Sequence, residues 1–165
     1  MTRLVFVLAL IGSLVTAGRA EGVDNLPAAI AIKGGVPVAQ LQGAGAQIYI
    51  CAKDAAGALS WTFREPVAAL LEDGKTVGRH FVGPTWEFAD GSRVVGEQVG
   101  KAPGGTAKDI AWLKLSVKET PKSGVAACAT SVLRIDTKGG VFDGACKSEG
   151  ELHSEPYTAT YIFVK

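Results

Sequence analysis

Helix signals are nearly absent from this 165-residue chain, so the crossover helices that a parallel α/β architecture needs are not available. An excess of either charge is missing too. With 17 basic against 16 acidic residues, there is no basic footprint for nucleic acid and no polybasic patch for anionic lipid. The sequence contains no GxSxG, no HExxH, no GxxxxGK[ST] and no pair of histidines at helical spacing, which excludes the common hydrolase, zincin and nucleotide motifs. Residues 43–48 (GAGAQI) imitate the start of a dinucleotide fingerprint but lack its third glycine and its helix, so they read as a hairpin turn. Cysteine is scarce, and the three present, Cys51, Cys128 and Cys146, show no CxxC spacing, so no metal is expected on these cysteines.

Long hydrophobic runs are confined to the start. Residues 4–15 are apolar apart from Gly12 and Ser13, follow Arg3, and precede the small residues Gly18 and Ala20. Twelve residues fall short of the ~20 that span a bilayer, so residues 1–20 read as a cleaved secretory signal, cut after Ala20. Its removal takes Arg3 and Arg19, leaving 15 basic and 16 acidic residues and a net charge of −1. An exported chain, periplasmic or extracellular, with no membrane insertion after the signal is gone, is the expectation. In that setting three cysteines give one disulfide and one spare thiol, with three pairings that spacing alone does not separate. A bridge from Cys51 to Cys146 would close a loop of about 95 residues and stabilise by roughly 4–5 kcal/mol.

What remains is β pattern. Residues 21–37 form an extended lead-in with a short strand near residues 28–32, and a single β-domain follows over residues 38–165. Short alternating runs separated by Gly, Pro or Asp clusters recur along it. Residues 38–42 and 47–51 (QIYIC) read as two strands joined at Gly43-Ala44-Gly45, with Gln47, Tyr49 and Cys51 sharing a face. Residues 59–63 (LSWTF) put Leu59, Trp61 and Phe63 on a buried face, and residues 67–71 read as a helical turn. Asp90-Gly91 favours a tight hairpin. Residues 111–118 set Leu113, Leu115 and Val117 against Trp112 on a polar face. Residues 124–136 read as a long strand with Leu133 and Ile135 inward, residues 141–146 cross back, and residues 157–164 (YTATYIFV) close the chain. About 9–11 short strands predict an all-β, antiparallel sandwich or partly closed barrel.

Residues 47–51, 61–70 (WTFREPVAAL), 78–96 (GRHFVGPTWEFADGSRVVG), 111–115 (AWLKL), 132–140 (VLRIDTKGG), Cys146 and 157–163 together resemble the exported bacterial and fungal family called the domain of unknown function 3455. The GxHxxGPTWExxDGS run is specific, and the resemblance covers nearly all of the chain after the signal. It implies a Cys51–Cys146 bridge and no activity that can be carried over. Cys128 departs from the pattern, which leaves it as a free thiol, expected to be buried as a small apolar residue.

Two site readings follow. Trp86, Trp112, Tyr49 and His80 are candidates to line a pocket of a non-enzymatic binding or envelope-associated module, whose partner would be a small molecule or glycan. Alternatively, His80 and Glu87, straddling the Gly83-Pro84 turn, would serve a secreted enzyme in acid–base or metal-assisted chemistry, with Asp90 or His153 as a third group. No cofactor is expected in either case.

Overall fold

Strands form where β-branched and aromatic residues alternate with polar ones, and pairing decides how far each strand runs. The computed structural model describes residues 23–165; the leader expected over residues 1–20 and its cleavage point lie outside the described residues. Eight antiparallel strands follow one another: β1 (Pro37–Lys53), β2 (Leu59–Glu72), β3 (Lys75–Phe81), β4 (Thr85–Phe88), β5 (Arg93–Ala102), β6 (Trp112–Glu119), β7 (Ser131–Gly139) and β8 (Leu152–Val164). Each pairs with its neighbour in the chain, and β1 also pairs with β8, so one sheet closes into a ring. The ring is not a regular barrel, because strand lengths range from four residues in β4 to 17 in β1.

The all-β, antiparallel expectation holds, with fewer and longer strands. Gly43-Ala44-Gly45 makes no turn. A Cβ at Gly43 would meet the Tyr161 ring at 2.5 Å, and one at Gly45 would press into the β2 backbone, so these glycines let β1 run on beneath a large aromatic. Residues 67–71 are not a helical turn but the second half of β2, because β1 supplies a full row of partners from Gln42↔Leu71 to Ile48↔Glu65. A bulge follows at Arg64, which has no partner across the pair, so Trp61, Phe63, Pro66, Ala68 and Leu70 share the inward face despite the odd spacing. Residues 124–130 stay outside β7, and residues 141–146 form only a bridge between Ala145 and Ser60.

The ring has two unlike halves. Leu41, Leu70, Phe88, Val94, Val132 and Phe163 fill one end, and the β6–β7 connection tucks Ala126 and Ala129 against them. A second apolar layer lies outside the ring. There Val23, Leu26 and Ile30 cover Leu133, Ile135, Ile162 and Val164. The short strand expected near residues 28–32 is therefore a strap, with a 3-10 turn at Val23–Asn25 and tight bonds from the Ile30 and Ala31 N–H groups to the Pro27 carbonyl. Leu133 and Ile135, expected inward, face outward under this strap, and Val132 and Arg134 take the inward positions opposite Phe163 and Tyr161.

Cys51 and Cys146 form a disulfide at the other end of the ring. Cys128 is free, as expected, but exposed rather than buried. It sits at φ 64° between the inward-turned Ala126 and Ala129, which leaves its side chain toward solvent.

Candidate functional site: an open chamber inside the ring

The β3–β4 turn, the β5–β6 connection and the β7–β8 connection surround the end that apolar side chains do not fill. A first chamber of about 240 Å³ lies there, walled by Trp86, His80, Tyr161, Leu115, Pro66 and Arg134 among others. A second of about 290 Å³ includes Gln47, Tyr49, Ile110 and Val141. The two share Phe63, Gln98, Leu113 and Arg134. Phe63 and Val82 at the mouth remain 49% and 55% exposed.

His80 and Trp86 face each other across β3 and β4, which puts both side chains inside the ring, with the rings stacked at 4.7 Å and 13°. The imidazole Nδ1 lies 2.9 Å from the Thr85 carbonyl, which assigns the proton to Nδ1, because a carbonyl can only accept. Burial lowers the pKa of His80 to about 4, partly offset by that hydrogen bond and reinforced by the positive charge of Arg134. The imidazole is thus neutral at pH 7.

Glu87 is one residue out of phase with His80 and lies on the outer face. Its carboxylate is gripped by Arg79 and Arg93, and the hydrogen bond from Arg79, ahead of that from Arg93, holds its pKa below the ordinary value. The structure does not bring His80 and Glu87 together. Asp90 serves the Asp-Gly turn. Its Oδ1 accepts from the Ser92 amide at 2.9 Å and the Ser92 hydroxyl at 2.6 Å, which depresses its pKa. His153 lies in β8, opposite Tyr49, where it stacks on Phe142 at 3.6 Å and pairs with Glu155 at 2.9 Å, away from His80 and Glu87.

The proposed pocket aromatics separate in the same way. Trp86, 1% exposed, and Tyr49 line the chambers, and the Tyr49 hydroxyl donates to the Gly140 carbonyl at 2.7 Å. Burial is the first cause of the raised Tyr49 pKa. Trp112, expected on an open polar face, stands on the outside of the ring against the strap cluster and does not reach the chambers. The reason is that the strap covers the outer face of β6 at Trp112, while Lys114 on the same face bonds the strap's Ala31 carbonyl.

Arg134 escaped the sequence reading. Its alternation with Leu133 and Ile135 was visible, but only the β7–β8 register, which sets Arg134 opposite Tyr161, shows which set points inward. Its Nε and Nη2 donate to the single carbonyl oxygen of Ala111, at 3.2 and 2.9 Å. No carboxylate among the described residues pairs with it. The phenols nearby are uncharged, since burial raises the pKa of Tyr157 and pushes that of Tyr161 well up, and their hydroxyls bond each other at 3.0 Å.

Among the described residues no group of three or more His, Cys, Asp or Glu could hold a metal ion, and no helix is long and apolar enough to cross a membrane. Fold and site define an antiparallel β-ring with a half-open interior chamber. The chain belongs to the family described as a protein of unknown function (DUF3455), whose model matches residues 32–165. No curated protein and no solved structure matches it.

Proposed function

We propose that the protein is a non-enzymatic binding module that takes one small molecule into the open half of the ring. The observation behind this reading is the unfilled interior. An eight-stranded ring is just wide enough either to be packed by its own side chains or to hold one small ligand. Here one end is packed and the other is left as two chambers with apolar residues exposed at the mouth. The first chamber lies just under the roughly 300–1,000 Å³ of common small-molecule sites, and the two in series fall within it. A glycan platform has less support, since Trp112 is covered by the strap.

The enzymatic alternative loses its acid–base pair, because Glu87 is committed to Arg79 and Arg93 outside the ring. A histidine held neutral down to about pH 4 is also a weak base at neutral pH. The Cys51–Cys146 bridge supports an oxidising compartment, which agrees with an exported protein in the periplasm or outside the cell.

Native mass spectrometry of the protein purified from its own source tests the reading. A co-purifying small mass is expected in the wild type and absent from Gln98→Trp, which fills the mouth from an exposed position shared by both chambers. A wild type that carries nothing, and that a broad small-molecule panel stabilises no more than Gln98→Trp, would overturn it.

A further inference from the structure

A charge inside a protein is stable only when something answers it, since taking a guanidinium out of water is costly without a partner of opposite sign. Arg134 is mostly buried, projects into the ring from β7 and lines both chambers. Its inward surroundings supply no negative charge. His80 is neutral, Tyr157 and Tyr161 keep their protons, and Gln47 and Gln98 are amides. Of the nearby acids, Glu87 is held by Arg79 and Arg93, Glu97 by Lys118, Glu65 by Arg64 and Glu155 by His153, while Asp143, which bears on Tyr49, is exposed and does not pair with Arg134.

The donor geometry is specific as well. A guanidinium has five N–H donors in one plane. Two of them, on Nε and Nη2, converge on the Ala111 carbonyl and fix the plane of the group. That leaves the Nη1/Nη2 edge, whose two parallel N–H groups match the two oxygens of a carboxylate. The remaining wall is largely apolar, formed by Trp86, Leu113, Leu115, Pro66 and Phe63.

We propose that Arg134 is the anion-recognition residue of the chamber, and that the ligand is a small organic monocarboxylate whose acid group docks on the Nη1/Nη2 edge while its apolar body rests against Trp86 and Leu113. The other cations on the chamber walls are Arg64, which is paired with Glu65, and Lys101 in the second chamber. Beside Trp86 and Leu113, therefore, one guanidinium with one free edge is on offer, and it fits a single carboxylate better than a phosphate with its greater charge and more acceptor oxygens. This inference rests on the reading of the chamber as a binding site and names the chemistry that site selects.

Benzoate and benzamide are nearly the same size and differ in charge, so isothermal titration of both probes separates the two claims. Wild type is expected to bind benzoate at least about tenfold tighter than benzamide. Arg134→Met removes that preference, so that its affinities for benzoate and benzamide fall within about twofold of each other. Arg134→Lys, which keeps the cation and loses the fork, retains a reduced preference for benzoate and guards against misreading an unfolded Met variant. Equal affinity of the wild type for the two probes, or a preference that survives in a folded Arg134→Met protein, overturns the anion role and leaves the binding module standing. Failure of both probes to bind wild type overturns both.

Discussion

Burial of the His80 imidazole against Trp86 and Tyr161 favours its neutral form and lowers its pKa to about 4 from an ordinary 6.5. The unfolded chain takes up a proton near pH 6.5 that the folded chain refuses until about pH 4. Stability from this residue is therefore complete above pH 6.5 and is lost as pH falls toward 4, by about 3 kcal/mol in all. Glu87 acts in a lower window. Its pKa is depressed, chiefly by the hydrogen bond from Arg79, so its contribution persists until pH falls below the ordinary carboxylate range. Urea unfolding between pH 7.5 and 4.5 should show the wild type losing stability while His80→Gln stays nearly flat over the same interval. Equal slopes in the two proteins would place the acid sensitivity elsewhere.

At the scale of elements, the strap over residues 23–32 settles which faces of β5, β6 and β7 are apolar on the outside. Ile30 of the strap is fully buried against the sheet, and the Lys114 ammonium donates to the Ala31 carbonyl at 3.3 Å. Ile30→Ala should destabilise by about 2–5 kcal/mol, through lost burial and the void left behind, without altering the chambers on the other side of the sheet. A denaturation midpoint unchanged from wild type would mean the strap is not part of the folded unit. The strap also explains what was legible in the sequence. In β8, Tyr157, Ala159, Tyr161 and Phe163 read correctly as one face, because that row stays apolar or aromatic throughout while the other carries Thr158 and Thr160 before Ile162 and Val164. In β7 both rows carry weight. Leu133 and Ile135 looked inward because a chain cannot announce that a distant segment will cover its outer surface. Gly43 and Gly45 looked like a turn because glycine serves close packing and sharp turns alike, and only the Tyr161 ring on a strand more than a hundred residues away tells them apart. The candidate site was half legible for the same reason: His80, Trp86 and Tyr49 stood out by type, and Arg134 needed the register.

For the whole molecule, an end that apolar side chains do not fill must be held open by something other than core packing. The Cys51–Cys146 bridge lies at that end, tying the end of β1 to the β7–β8 connection whose Val141 walls the second chamber. The Cys51 amide donates to the Glu151 carbonyl and the Gly150 amide to the Cys51 carbonyl, so this connection is fixed to β1 by backbone as well as by sulfur. A cross-link spanning 95 residues removes much of the freedom of the unfolded chain, worth about 4–5 kcal/mol in the chain-entropy account. Cys51→Ser with Cys146→Ser should lower the melting temperature by about 10 °C or more, as expected for that loss in a domain of this size. Because the apolar end does not depend on the bridge, hydrogen exchange in the double variant should rise first in residues 140–151 and in the adjoining end of β1, while Leu70, Phe88 and Phe163 stay protected until global unfolding. Uniform loss of protection would show instead that the ring folds as one unit and that the bridge supports the packed end as much as the open one.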